Sequence, residues 1–395
     1  MSGRSRDSKA DPNSDLELLK NIEELEFEDV DLDIGTLRIS LKPKLVTRTV
    51  APPKVVTSKA KRIIEVEFSP PVGEYLGRIV EVKLGATKGE GGTRGKSITL
   101  GGEKAPAWCM FEAPPPNRPV VSMDIFDMAI PLPKAIKAHF EDVINDPAEW
   151  AKRAVNKFGA DLVTVHLVST DPLLKDASPS EAASTVERVL QAVDVPIVVG
   201  GSGDPKKDLE VFEKVAEVAE GERLLVSTVT LDMDVGKTAE IVKKHGHALL
   251  AFTPMDLNKA RELNRKLYDF LPKEQIVMDT TMAALGYGID YAFTVAERSR
   301  LAGLMGDREL QHPISLGTTN AWAAREAWMD MDAFWGPKDL RGPIWEVTSA
   351  LTVLFAGVNL LMMLHPTAVK TVKGIIEALT HRGKPEVHDW TKLKL

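Results

Sequence analysis

The chain has 395 residues, of which 44% are hydrophobic and 27% charged, and its formal net charge is −7. This composition is typical of a folded protein and excludes a largely disordered chain. A single cysteine, Cys109, excludes a disulfide framework, a four-cysteine zinc site and an iron–sulfur cluster held by this chain alone.

Residues 1–60 are interpreted as a charged N-terminal arm. Residues 1–35 contain eleven acids and four bases, whereas residues 36–64 contain eight bases and no acid. One short amphipathic segment, residues 16–27, places leucine and isoleucine on one face. The arm is either a solvated tail or a docking arm for a partner, and the lack of aromatic residues in its basic block argues against nucleic acid. The first 30 residues contain no apolar signal core, which predicts a cytoplasmic protein.

Residues 61–119 are predicted to form β-hairpins that pack on the main body. The alternating apolar runs, separated by glycines, are 63–68, 79–84, 98–100 and 108–111. Gly95-Lys96-Ser97 looks like the end of a P-loop, but the motif's first glycine is replaced by Glu90 and a strand pattern follows, so nucleotide binding is rejected. The loop is then either an anion site with Lys88, Arg94 and Lys96 or a plain flexible hairpin.

Residues 120–380 alternate short apolar runs with amphipathic segments of helical length. The eight runs are 120–127, 162–169, 197–203, 224–230, 248–253, 276–280, 314–320 and 358–365. Eight strand–helix units over about 250 residues favour an α/β fold, the closed (β/α)₈ TIM barrel. A doubly wound open sheet is the alternative, but its glycine fingerprint is missing. Residues 381–395 are left as a C-terminal tail.

Local signals support these boundaries. Asp146-Pro147 and Ser178-Pro179 are predicted to open two helices, and Glu181 would complete a capping box with Ser178. The apolar stretch 347–364 carries threonine, serine and asparagine and is split by a glycine. It is therefore interpreted as a buried helix that leads into a buried strand, and not as a membrane span.

Polar residues cluster at the carboxyl ends of the eight runs. They are Asp124, Asp127, His166, Ser169, Thr170, Asp171, Ser202, Gly203, Asp204, Thr228, Thr230, Thr253, Asp279, Thr280, Thr318, Thr319, Asn320 and His365. In a closed barrel all of them lie at one mouth, where such folds carry their sites. Each also has a structural alternative, because a core histidine, a loop-capping aspartate or a turn-stabilising threonine needs no ligand.

The types of residue at this mouth restrict its chemistry. His166, Asp124 and Asp279 could converge on a metal, but no histidine pair has helical spacing, so a catalytic metal is not favoured. No G-x-S-x-G elbow is present, and no strand run ends in a lysine that could form a Schiff base. Hydroxyls, amides and glycine backbone suit the binding of a large polar ligand by hydrogen bonds.

Four of the seven tryptophans follow the seventh run, at positions 322, 328, 335 and 345. Such rings either pack against the barrel or present a surface for a flat ligand or a protein partner.

Nine stretches in order resemble the small (delta) subunit of the corrinoid iron–sulfur protein of the acetyl-CoA decarbonylase/synthase complex. They are residues 82–88, 91–97, 101–104, 145–150, 169–172, 200–205, 284–288, 318–322 and 363–367. The resemblance runs from about residue 79 to residue 380, and it does not include residues 1–60, although an extension of this kind is similar to the archaeal form.

The resemblance implies a TIM barrel that pairs with a large (gamma) subunit. That partner carries the iron–sulfur cluster and the corrinoid, and the corrinoid lies between it and the barrel mouth. The complex moves a methyl group between a methyl-tetrahydropterin and the nickel site that makes or cleaves acetyl-CoA, a step of one-carbon metabolism. The chain is consistent with this, because it has one cysteine and no D-x-H-x-x-G corrinoid motif.

The resemblance implies an accessory role without catalytic or metal-binding residues in this chain. The residues expected to contact the corrinoid are Thr318, Thr319, Asn320 and Trp322, then Ser202, Gly203 and His365. A stand-alone pterin-dependent methyltransferase of the TIM-barrel class is the alternative, with Asp124, Asp279 and Asn320 binding the pterin. A purely structural subunit is the third.

Overall fold

The computed structural model describes residues 72–110 and 112–380. The predicted arm with its segment 16–27, the first hairpin run at 63–68 and the tail 381–395 lie outside the described residues.

A two-stranded antiparallel hairpin precedes the main body. Its strands are β1 (Val82–Leu84) and β2 (Ile98–Leu100), and Val82 lies opposite Leu100. The predicted fourth run, 108–111, is wrong as a strand, because Trp108 and Met110 lie in turns. Trp108 instead donates its indole N–H to the Leu354 carbonyl at 2.8 Å and packs edge-on against Phe355. The ring therefore anchors an irregular segment to the barrel wall.

Eight parallel strands form the main body. They are β3 (Val120–Phe126), β4 (Leu162–His166), β5 (Ile197–Gly200), β6 (Leu225–Val229), β7 (Ala248–Phe252), β8 (Ile276–Asp279), β9 (Ser315–Gly317) and β10 (Leu360–Met363). They pair in the order β8-β7-β6-β5-β4-β3-β10-β9. A parallel bridge between Met278 and Ile314 joins β8 to β9 and closes the ring. The predicted (β/α)₈ barrel is confirmed.

Helices follow the strands, as the amphipathic segments predict. They are α1 (Lys134–Lys137), α2 (Pro147–Asn156), α3 (Pro179–Ala192), α4 (Pro205–Val218), α5 (Val235–Lys244), α6 (Leu257–Leu267), α7 (Ile289–Leu304), α8 (Lys338–Phe355) and α9 (Pro366–Thr380). Asp146 caps α2, and Ser178 forms the predicted capping box with Glu181 at the start of α3.

The stretch 347–364 is the end of α8 followed by β10, as predicted. Among the described residues, no helix is long and apolar enough to cross a membrane.

The hairpin closes the amino-terminal end of the barrel. Val82, Leu84 and Leu100 are buried against the first inward-facing residues of the barrel strands, such as Val120 and Leu162. Burial of this apolar layer removes it from water and seals that end. The other end, where the strands terminate, is the mouth.

The glycine-rich loop of the hairpin is neither a free anion site nor a plain flexible turn. Arg94, only 4% exposed, pairs with Glu222 at 2.7 Å and donates to the carbonyls of Val193 and Leu190. Its guanidinium group holds the loop against the loops that precede β5 and β6, so it is not available to an anion.

Candidate functional site at the barrel mouth

Asp124, His166 and Thr319 form the floor of the mouth. Asp124 ends the inward face of β3 and is 2% exposed. One of its carboxylate oxygens accepts a hydrogen bond from the Thr319 hydroxyl, and the other lies 3.3 Å from Nε2 of His166. His166 ends β4, stacks on Phe126 and remains partly exposed. Residues predicted from three different strands are therefore brought together here.

The turn after β9 holds the next group of predicted residues. Thr318 is fully buried and donates its hydroxyl hydrogen to the Met362 carbonyl, so its role in the described structure is to fix this turn. Thr319 is half-buried, whereas Asn320 is exposed and donates to the Met282 carbonyl in the loop after β8. Asn320 and Thr319 are therefore the members of this turn that a ligand can reach.

Trp322 and His365 belong to a buried network centred on Glu346 of α8. The Glu346 carboxylate accepts N–H hydrogen bonds from the Trp322 indole at 2.9 Å and from the backbones of Leu364 and His365. Burial nevertheless raises the pKa of Glu346 to about 7. Trp322 stacks on His365, and burial lowers the pKa of His365 to about 4. The network fixes the indole beside the mouth.

Ser202 and Gly203 wrap around a carboxylate of this same chain. Asp208 of α4 accepts hydrogen bonds from the backbone N–H groups of Ser202 and Gly203 and from the Ser202 hydroxyl, all within 2.9 Å. A Cβ at Gly201 would lie 2.4 Å from the Asp208 carboxyl carbon, so only glycine fits there. The loop donors are therefore already used, and Gly203 offers mainly an exposed backbone surface.

Asp279 lies at the end of β8, on the opposite side of the ring from His166. It is buried and accepts a hydrogen bond from the Thr281 backbone N–H at 2.8 Å. Burial raises its pKa to about 7. Thr281 has a left-handed backbone, with φ of 76°, which a β-branched residue rarely adopts. The loop therefore holds a carboxyl that is partly neutral near pH 7.

Large apolar side chains surround the mouth. An open groove of about 720 Å³ lies between the loop after β3 and the loop after β9, and Trp322 and Trp328 line it. The exposed apolar residues that follow strand ends define the apolar rim: Leu173, Leu174, Tyr287, Tyr291, Trp328, Met329, Met331, Phe334, Leu340 and Ile344. Large apolar side chains that are exposed around a mouth are candidates for an interaction site.

Two residues that organise the mouth escape prediction from the sequence. Glu346 and Asp208 lie on helices, where acids are ordinarily interpreted as solvated. The available signal is their position, because Glu346 falls on the apolar face of α8 and Asp208 is followed on the same face by Val211 and Phe212. Among the described residues, no group of three or more histidine, cysteine, aspartate or glutamate side chains could hold a metal ion.

The sequence model of the family described as "CO dehydrogenase/acetyl-CoA synthase delta subunit" matches residues 81–334. The acetyl-CoA decarbonylase/synthase complex subunit delta of Archaeoglobus fulgidus is 54% identical over 324 residues, which cover 80% of this chain and 72% of that protein. The chain belongs to the CO dehydrogenase/acetyl-CoA synthase delta-subunit family. Subunit delta 1 of Methanosarcina thermophila is 51% identical over 83% of this delta-family chain and 77% of its own length.

Among solved structures, a dihydropteroate synthase from Xanthomonas albilineans is similar over 70% of this delta-family chain and 99% of its own length, with a TM-score of 0.48 and 13% identity. The fold assignment itself follows from the strand order and the closing bridge.

Proposed function

We propose that this chain acts as the delta subunit of an acetyl-CoA decarbonylase/synthase complex and pairs with the large (gamma) corrinoid iron–sulfur subunit. Its mouth covers the corrinoid that the partner carries. The chain thereby supports transfer of a methyl group between a methyl-tetrahydropterin, the corrinoid and the nickel site that makes or cleaves acetyl-CoA. The observation that carries this proposal is the apolar rim around a polar mouth in a member of the delta-subunit family.

The rim suits a protein partner better than a small molecule. Leu173 and Phe334 are 91% and 79% exposed and belong to the loops after β4 and β9, on different sides of the mouth. A small ligand inside the mouth leaves such side chains in water, whereas a folded partner buries them. Aromatic residues are enriched among those that dominate binding energy.

The described side chains fit a corrinoid that is carried elsewhere. They offer hydroxyls, an amide and the edge of an indole, and the described residues contain no group of three or more side chains that could hold a metal ion. The corrinoid, when bound, supplies a strongly nucleophilic cobalt centre that accepts a methyl group. Asn320, Thr319, Ser202 and Gly203 are the accessible residues that would face it. Thr318, Trp322 and His365 would support that surface from below, and cover by the mouth would exclude water.

Association with the large subunit tests the pairing. Phe334→Asp should weaken that association about 30-fold or more, because an aromatic anchor is replaced by a charge that must be desolvated. Leu76→Asp is the matched control, since Leu76 is 94% exposed and precedes Gly77, whose N–H bonds to the Leu304 carbonyl at the end of α7, on the side away from the mouth. Equal affinities of both variants and the wild type, measured by calorimetry, would refute pairing through the rim.

Corrinoid content tests the covering role. The chain purified alone should contain no cobalt, and the pair with the large subunit should contain corrinoid. The pair should also protect the reduced corrinoid from oxidants better than the large subunit alone does. Stoichiometric corrinoid in the isolated chain, or equal oxidation rates, would contradict the proposal.

The pterin-dependent methyltransferase remains a second candidate because of Asp279, a buried carboxyl at the mouth that is partly neutral near pH 7. Such a group donates or accepts a hydrogen bond to a heterocycle according to its protonation. Micromolar binding of a methyl-tetrahydropterin by the isolated chain, with methyl transfer to free cobalamin, would favour this candidate. No binding without the large subunit would exclude it as a stand-alone activity.

A further inference from the structure

A histidine backed by a buried carboxylate faces the mouth. Nε2 of His166 lies 3.3 Å from Oδ1 of Asp124, and the described residues give that oxygen no hydrogen bond. The other Asp124 oxygen is held by the Thr319 hydroxyl, which fixes the carboxylate. The imidazole stacks on Phe126 with ring centroids 5.1 Å apart. Contacts with Asp124 and Phe126 therefore fix the orientation of the imidazole ring, and 30% of the side chain remains exposed.

Gly200 leaves Nδ1, the second ring nitrogen of His166, uncovered. Residue 200 on β5 pairs with His166 in the strand register, and a Cβ at this position would lie 3.3 Å from Nδ1 of His166. No described residue makes a hydrogen bond to Nδ1. Glycine inside a strand often marks a place where another group approaches the backbone closely. Nδ1 is thus a free donor or acceptor at the mouth.

We propose that His166 exchanges a proton with the pterin nitrogen during methyl transfer, and that Asp124 is its positioning residue. This inference rests on the proposed function, since it assigns an acid and base to the same mouth. His365, the other histidine at a strand end, is unsuited because it is buried and its Nδ1 accepts a hydrogen bond from the Thr367 backbone N–H at 3.2 Å.

The proton is required by the chemistry of the leaving group. The bond between the methyl carbon and the pterin nitrogen breaks, and its electron pair stays on the nitrogen. That nitrogen takes the proton from Nδ1 of the His166 imidazolium, so that a neutral amine leaves. The partner's low-valent corrinoid would supply both electrons of the new bond to the methyl carbon. Solvent reprotonates the partly exposed imidazole, and in the reverse direction neutral His166 removes the proton.

The groups that face the His166 ring come from the elements packed against β4. Asp124 on β3 is the charged group that faces the ring, and β5 contributes only Gly200 at this level. Glu346 on α8 lies behind Asp124 and repels its charge, and it is partly neutral near pH 7. A carboxylate next to an imidazole stabilises the imidazolium.

A titration of the full chain tests the pair without any activity measurement. With histidine isotopically labelled, the His166 signal is identified by its loss in His166→Gln, and its midpoint is followed by NMR. In Asp124→Asn the midpoint should move to lower pH, because the carboxylate that faces the ring is removed. An unchanged midpoint would overturn the role of Asp124.

The complete complex tests the proton transfer. With methyl-tetrahydropterin as donor, the single-turnover rate should fall as the pH rises through the midpoint of His166. His166→Gln should lower the rate about 100-fold and abolish this dependence. Gly200→Ala should slow the reaction, because a methyl group then lies 3.3 Å from Nδ1 and blocks the approach of the pterin nitrogen. His245→Gln, at the closed end of the barrel, is the matched control and should keep the wild-type profile.

The outcomes separate the two proposals. A wild-type complex that moves no methyl group between pterin and corrinoid refutes the proposed function. An active wild type with an unchanged rate and pH profile in His166→Gln refutes this inference alone.

Discussion

The Arg94–Glu222 ion pair at the amino-terminal end of the barrel differs from the carboxyl groups at the mouth in how its charges are compensated. At the amino-terminal end, Arg94 meets Glu222 and two carbonyls, and the hairpin covers the apolar layer beneath it. At the mouth, one Asp124 oxygen has no hydrogen bond from the described residues, and burial raises the pKa values of Asp279 and Glu346. Satisfied charges stabilise a fold, whereas unsatisfied ones are tolerated where a ligand or partner binds. The Arg94–Glu222 pair therefore stabilises the fold, whereas Asp124 and Asp279 lie where a ligand or partner would bind.

The strongest test of this division is at the closed end. Arg94→Ala leaves the Glu222 carboxylate buried without its partner, so the free energy of unfolding should fall by about 3–5 kcal/mol in urea denaturation. Lys152→Ala is the control, because it removes the exposed Lys152–Glu149 pair and should cost less than about 1 kcal/mol. Equal losses in both variants would mean that the hairpin loop does not seal the barrel.

The pH dependence of stability should report on the mouth. Glu346 has a folded pKa of about 7, above its ordinary value of 4.5, so the folded state retains a proton that the unfolded state has lost. The free energy of unfolding contributed by this group therefore falls as the pH rises from about 4.5 to about 7, by up to about 3 kcal/mol. Glu346→Gln should remove this part of the slope in denaturation series at pH 5 and pH 8.

Other groups do not obscure that comparison. His365 contributes the opposite slope, because its folded pKa of about 4 lies below its ordinary 6.5, but it does so in both proteins. Parallel curves for the wild type and Glu346→Gln would show that Glu346 is ionised in the folded protein throughout this range.

A pair of helical glycines compares the mouth with the outer surface. A Cβ at Gly342 of α8 would lie 2.2 Å from the Trp322 ring, so Gly342→Ala should cost about 1–3 kcal/mol and displace the indole. Gly374→Ala in α9 meets no atom within 4 Å and should stabilise the protein by up to about 1 kcal/mol. Thermal unfolding measures both changes, and a stable Gly342→Ala variant with an unmoved indole would contradict the packing around Trp322.

The smallest effect on stability is expected at Asn320. Asn320→Ala removes one partly buried hydrogen bond to the Met282 carbonyl and should cost at most about 1 kcal/mol, leaving the pair with the large subunit intact. Methyl transfer by the complex should nevertheless slow about tenfold, because the side chain is accessible at the mouth. An unchanged rate would count against contact between Asn320 and the ligand.

Most of the fold follows from the sequence. Apolar runs separated by capped helices specify parallel strands with crossovers, and the Asp-Pro and Ser-Pro boundaries agree with α2 and α3. The turn at Trp108 was not predictable, because an alternating apolar pattern does not reveal that an indole will bind the Leu354 carbonyl 246 residues away. Short-range patterns specify elements, whereas side chains that contact distant residues can override them.

For the site, the sequence by itself determined which polar residues reach the mouth, since the carboxyl ends of parallel strands share one end of the barrel. Only the tertiary structure decided which hydrogen bonds these residues make and which of their atoms stay open to a ligand. It brought the Thr319 hydroxyl to Asp124, directed the Ser202 and Gly203 donors to Asp208, and left Nδ1 of His166 without a hydrogen bond beside Gly200. The physical reason is that burial and hydrogen bonding depend on neighbours brought together from distant parts of the chain. A local sequence pattern does not identify those neighbours.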